Sequence, residues 1–239
     1  MRLLVSVRDA REAARAVAGG AEIIDAKEPT RGSIAPVDAT TLRAIAAAVP
    51  DSHRLSTALG DVASAEDLER AFGDLPPRLS FVKLGFRGID DAKRIGSLLR
   101  GAVDHAARHQ ARPAVVAVAY ADHHRAGSLS PSAFPYVLSD AGADGLLIDT
   151  CFKDRGDLFA AMSPADLAAI GSALEADEAT FALGGSLGVD QVRMVAETGA
   201  TVFGVRGAVC RGGRAGEVDE DLVRRLAEAV RRERASAPS

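Results

Sequence analysis

Residues 3–18 read LLVSVRDAREAARAVA: five residues rich in β-formers, a short polar link, then a run of Ala, Arg and Glu that favours helix. The link holds SVRDA, where an open doubly wound sheet would normally place a glycine-rich phosphate loop after its first strand. The same strand-then-helix unit recurs downstream, as expected of repeated βα units around a parallel sheet. Strands are expected at residues 3–7, 22–26, 54–59, 81–84, 114–120, 145–149, 181–183 and 202–205. Helices are expected at 9–18, 39–48, 65–72, 91–109, 165–174, 190–197 and 219–232, with Asp38, Ser64 and the Ser163-Pro164 pair as starts. Eight strands with interleaved helices close a barrel, so the predicted fold class is α/β, a single-domain (β/α)8 TIM barrel over residues 1–232. The tail 233–239, ERASAPS, is expected to be disordered.

A chain of 239 residues with 47% hydrophobic content is long enough for one large core. Its net charge of -4 argues against a general nucleic-acid binder, which needs a clustered basic excess. There is no apolar run of membrane-spanning length and no secretory signal pattern, so a cytoplasmic protein without membrane partners is expected. Cys151 and Cys210 form neither a CxxC nor a Cys/His spacing, and reduced thiols are expected.

Of the 29 basic residues only four are lysines, Lys27, Lys83, Lys93 and Lys153. Arginine serves charge and solubility equally well but stays protonated, and it cannot form an imine. Lys27 closes the second strand in EIIDAK, Lys83 lies at the end of the fourth in SFVKLG, and Lys153 follows the sixth in LLIDTCFK. Only Lys93 falls on a helix. Strand ends are where barrel enzymes keep their chemistry, so three of four lysines point to a site at that face. Period-two alternation puts Asp25 on the same side as Lys27, as an orienting or proton-shuttling carboxylate or as an ordinary ion-pair partner. A second lysine nearby would lower the amine's pKa and favour imine chemistry, while the bland alternative is a rim of cations that attracts an anion.

LGGSLG follows the seventh strand and FGVRGAVCRGGRAG the eighth, the positions where barrels often bind phosphate. Gly184, Gly185, Ser186, Gly204, Arg206 and Gly207 are therefore candidate phosphate ligands, with Arg206 and Arg211 as sources of charge. Asp61 and Asp149 point to the same barrel face and suggest proton transfers, and Tyr120 and Asp122 could assist. His105 and His109 have i, i+4 spacing on a helix but no third ligand, so a solvated face is expected and no metal.

Together LLVSV, AGGAEIIDAKEPTRGS, ALGDV, FVKLGF, AYAD, LLIDTCFKD, LGGS and FGVRGAVCRGG resemble the (5-formylfuran-3-yl)methyl phosphate synthase family, nearly end to end. The resemblance implies a barrel lyase that uses no cofactor. It would condense two glyceraldehyde 3-phosphate molecules, with loss of phosphate and water, for a methanofuran-type C1 carrier. By resemblance, Lys27 would hold the triose as a Schiff base, Lys83 would accept protons, and Lys153 and Asp149 would assist. Asp61 and Tyr120 are expected to touch substrate. His123, His124 and the second half of EPTRGSIAP have no counterpart in the pattern. The Ala/Arg-rich composition suggests a bacterial homologue. A homo-oligomer is expected, as barrels of this size commonly associate. The rival readings are another Schiff-base aldolase or isomerase on a phosphosugar, and a non-catalytic phosphometabolite-binding barrel.

Overall fold

The computed structural model describes residues 1–236, and residues 237–239 lie outside that description. Eight parallel strands, β1 (Arg2–Val7), β2 (Ile23–Ala26), β3 (Arg54–Asp61), β4 (Phe81–Gly85), β5 (Ala114–Tyr120), β6 (Gly145–Asp149), β7 (Thr180–Leu183) and β8 (Val202–Val205), close into a barrel in sequence order. The seam is the pairing of β1 with β8, with Leu3 opposite Phe203. All eight expected strands are present, with ends that differ from expectation by at most two residues.

The jacket consists of α1 (Ala10–Ala18), α2 (Ala39–Ala48), α3 (Ala65–Phe72), α4 (Ala92–Arg108), α5 (His123–Ala126), α6 (Phe134–Ala141), α7 (Leu158–Ala161), α8 (Pro164–Ala176), α9 (Val192–Glu197) and α10 (Glu220–Ser236). The expected starts cap as their chemistry requires: Asp38, Ser64 and Ser163 accept hydrogen bonds from the backbone N–H groups of Thr41, Asp67 and Asp166. Helix α6 was not expected. Its pattern was present in Phe134, Val137, Leu138 and Ala141, all buried, and the left-handed Gly142 ends it. The run is short and holds two prolines nearby, Pro131 and Pro135, which reads as loop. Helix α10 corrects the expected tail: residues 233–236 continue the helix, where Arg234 pairs with Glu22 at 3.1 Å.

Alternation along the strands divides the apolar residues into two bodies. Outward-facing Leu3, Val5, Ile24, Val82, Ala117, Ile148, Phe181 and Phe203 pack under the helices in one continuous annulus. Inward-facing Leu4, Ile23, Ala58, Val116, Val118, Leu147, Ala182 and Val202 form a smaller cluster in the lumen. Small residues at Ala58, Ala182 and Gly204 leave that lumen partly open above the apolar floor. Polar side chains from β1, β2, β3, β4 and β6 occupy its upper half, and they make the site.

Candidate active site

A cavity of about 420 Å³ opens at the C-terminal end of the barrel and holds Lys27, Lys83, Lys153 and Asp149 in its wall. Lys27 continues the inward phase of β2, with its backbone N–H bonded to Val7 O at 2.9 Å. The residue is only 6% exposed. Among the described residues, Asp149 is the one carboxylate within 4.0 Å of its amine, with Oδ2 at 3.9 Å. Burial foremost pulls the Lys27 amine down to about 7, with the charges of Lys83 and Lys153 acting in the same direction and those of Asp149 and Asp25 opposing.

The other two lysines are engaged. Lys153 Nζ donates to Asp149 Oδ1 at 2.6 Å, Thr150 O at 2.7 Å and Thr150 Oγ1 at 2.9 Å, which uses all three of its donors. Burial alone would raise the Asp149 carboxyl, but Lys153 and Lys27 outweigh it and hold the group below the usual carboxylate range. Lys83 Nζ lies 2.6 Å from Asp25 Oδ1, and Ser6 Oγ donates to Asp25 Oδ2 at 2.9 Å. Asp25 is fully buried and Lys83 nearly so. The site thus has two carboxylate–lysine pairs from β2, β4 and β6, with an amine free of close acceptors between them.

The rim beside β7 and β8 carries glycine turns and, among the described residues, unpaired backbone donors. Gly185 (φ +103°) and Ser186 (φ +57°) turn the chain sharply after β7. A Cβ at Gly185 would come within 3.2 Å of Thr150 N in a backbone conformation that side-chain-bearing residues rarely adopt, so glycine is favoured there. The backbone N–H groups of Ser186, Leu187, Gly207 and Ala208 have no protein acceptor among the described residues, and all four residues line the cavity. Such groups are ready donors to a phosphate. Arg214, which also lines the cavity, bonds only to the carbonyls of Pro29 and Gly32, at 3.3 and 2.7 Å.

The 4-HFC-P synthase family model matches residues 3–227. The chain belongs to that family. It is 34% identical over 232 residues to the (5-formylfuran-3-yl)methyl phosphate synthase of Methanothermobacter thermautotrophicus, covering 95% of this chain and 98% of that one. It is 33% identical to the synthase of the same name from Methanocaldococcus jannaschii, covering 95% and 99%. The chain is therefore an enzyme of the 4-HFC-P synthase family. Among solved structures, a 3-hexulose-6-phosphate synthase superposes with a TM-score of 0.62 at 19% identity, covering 98% of this chain and 99% of that one. A phosphoribosyl anthranilate isomerase from Thermus thermophilus gives 0.63 at 17%, covering 99% of each. At such identities the likeness concerns the barrel fold.

Within this family member, the structure gathers Lys27, Lys83, Lys153 and Asp149, together with Gly184, Gly185, Ser186, Gly204 and Gly207, around one cavity, with Asp25 buried against Lys83. Arg206 is corrected. Its guanidinium donates to Glu12, Ser6 O, Arg214 O and Gly216 O, and it is only 4% exposed, so it has no donor left for a phosphate. Arg211 points elsewhere too, paired with Asp219. Arg214 instead lines the cavity with its guanidinium bonded only to two carbonyls, and sequence reasoning missed it because three arginines share one glycine-rich loop.

Asp61 and Tyr120 stand apart from the lysines. Asp61 lines a second cavity, with the Thr30–Val37 loop, Arg87, Cys151 and Phe152. Tyr120 donates to Asp61 Oδ1 at 2.6 Å from a fully buried position. Asp122 accepts from the backbone of Cys151 and Phe152 at 2.6 and 2.9 Å and so shapes the loop before Lys153. Burial pushes the Cys151 thiol up to about 11, which leaves it a poor nucleophile. The His105 ring stacks on Phe72 at 5.3 Å, and His109 Nδ1 accepts from Ala111 N at 3.1 Å. Among the described residues no helix is long and apolar enough to cross a membrane.

Proposed function

We propose that this enzyme is a (5-formylfuran-3-yl)methyl phosphate synthase, a lyase that condenses two glyceraldehyde 3-phosphate molecules through an imine on Lys27. Its product would serve biosynthesis of a methanofuran-type C1 carrier. The observation that carries this reading is the isolation of Lys27: a buried amine with no close acceptor, brought to about 7, inside a cavity rimmed by free backbone donors. A neutral amine can attack a carbonyl, and a desolvated one beside other cations is partly neutral at physiological pH.

The geometry supports one order of steps. The triose phosphate is held at the β7 and β8 rim by backbone N–H groups and Arg214. Lys27 Nζ adds to the carbonyl, and Asp149, held by Lys153, moves protons at that nitrogen as water leaves. The imine acidifies the adjacent C–H, and the Lys83–Asp25 pair takes that proton. Phosphate then leaves from the third carbon of the imine-bound triose to give an enol, whose terminal carbon attacks the central carbonyl of the second triose phosphate, itself isomerised to its ketone form by proton transfer. Ring closure through that triose's free hydroxyl and loss of two waters give the aromatic furan, and hydrolysis frees Lys27. The sequence balances without oxidant or reductant, so it calls for no redox cofactor.

Incubation of the protein with glyceraldehyde 3-phosphate alone tests this. A furan absorbance and free phosphate in equal amounts are expected. Simple interconversion of trioses would favour an isomerase, and no turnover would favour a binding barrel.

A further inference from the structure

Ser56 sits on β3 opposite Asp25 of β2, and both face the lumen. Its hydroxyl is a buried side-chain oxygen with no hydrogen-bond partner, on a residue only 1% exposed that lines the catalytic cavity. Asp25 Oδ1 also lacks a hydrogen-bond partner, with its charge met by Lys83 Nζ at 2.6 Å, and Asp25 itself is fully buried beside the cavity rather than in its wall. An unsatisfied buried hydroxyl is destabilising, and such groups are tolerated chiefly where something else completes them. Two such oxygens on neighbouring strands, one of them acceptor-only and the other able to donate, match one kind of ligand atom. A hydroxyl can donate to Asp25 Oδ1 while accepting from Ser56 Oγ. A carbonyl oxygen could satisfy only Ser56.

We infer that Ser56 and Asp25 form a seat for a hydroxyl of the bound aldehyde, and that Ser56 determines specificity for a substrate hydroxylated next to its carbonyl. The seat rests on the imine at Lys27 proposed above. Asp25 and Lys27 are two residues apart on one strand and share its inner face, so the seat lies one step deeper than the imine nitrogen. A carbon bonded to both the imine carbon and the hydroxyl spans that step. It places the C–H to be removed beside Lys83.

The test is reductive trapping of the full-length protein with cyanoborohydride, read by mass spectrometry at Lys27. Glyceraldehyde 3-phosphate is compared with 3-oxopropyl phosphate, which lacks the hydroxyl. The intrinsic reactivities of the two aldehydes cancel when their ratio is compared between proteins. Ser56→Ala should lower the preference for the hydroxylated aldehyde about fivefold, the size of one neutral hydrogen bond. Ser56→Cys, nearly isosteric but a weak donor, should lower it similarly, and Ser56→Thr should restore much of it. A merely structural serine would change both trapping rates together. An unchanged ratio in folded Ala and Cys variants would overturn the seat alone. Failure of the wild type to trap either aldehyde at Lys27 would overturn the imine and the seat with it.

Discussion

Asp149 presents Oδ1 to Lys153 at 2.6 Å and turns Oδ2 toward Lys27 at 3.9 Å. One lysine fixes the carboxylate, and the other stands just beyond its reach. The arrangement separates a holding cation from a reacting amine, and it has consequences for each member.

Replacing Lys153 with Met should leave imine formation at Lys27 possible but slow turnover about 10- to 100-fold, since Asp149 loses its anchor. The Lys153 charge lowers the Lys27 pKa, so its removal should also move the pH profile of trapping upward. Rates of borohydride inactivation across pH, with mass spectrometry to locate the label, measure both effects.

In the wild type, trapping should rise with pH through about 7 and then level off, because the amine must shed its proton to attack. The same shift has a stability sign. Folded Lys27 binds its proton only below about 7, whereas an unfolded lysine keeps it to about 10.4, so the unfolded state holds the extra proton between those values. Stability from this group therefore increases as pH rises through that window. Lys27→Met should abolish labelling and raise the melting temperature most at or below neutral pH.

Lys83→Ala should keep trapping at Lys27 yet reduce furan formation by at least about 100-fold, because the imine forms but the pair that takes its C–H proton is broken. Loss of labelling in folded Lys83→Ala would count against the division of labour between the two lysines.

The two arginines of the β8 loop should part company. Arg214→Ala should raise KM for a phosphorylated substrate with little change in melting temperature. Arg206→Ala leaves Glu12, 1% exposed, without its main counter-charge and should destabilise by about 3 kcal/mol. Thermal melts alongside steady-state kinetics distinguish them.

Gly85→Ala should cost about 1–3 kcal/mol. A Cβ there would fall 2.6 Å from both Asp61 Oδ1 and Tyr120 OH and 2.5 Å from Ile34 Cδ1. Tyr120→Phe, which removes only the hydroxyl, should cost about 1 kcal/mol. Chemical denaturation of both variants checks the order.

The barrel was legible because its strands are short β-rich runs set between helical ones, and the lysines were legible because an arginine-rich chain spends lysine sparingly. The partners of those lysines were only half legible. Period two put Asp25 beside Lys27, but the carboxylate reaches across to Lys83 on β4, a pairing set by barrel closure rather than by spacing along one strand. Arg206 was misread for the same reason, since Glu12 lies on α1, nearly two hundred residues away. Ser56 gave no signal at all: one serine in RLSTAL looks like any strand residue until the lumen around it is known to be open.

The division of apolar residues into an outer annulus and a sparser lumen implies two different fates for substitutions on one strand. Leu55 and Ser56 are neighbours in the chain, yet the first belongs to the annulus and the second to the reaction vessel. Resistance to heat and catalytic power are thus inherited at alternate positions, and each can drift or be engineered while its neighbour stays fixed.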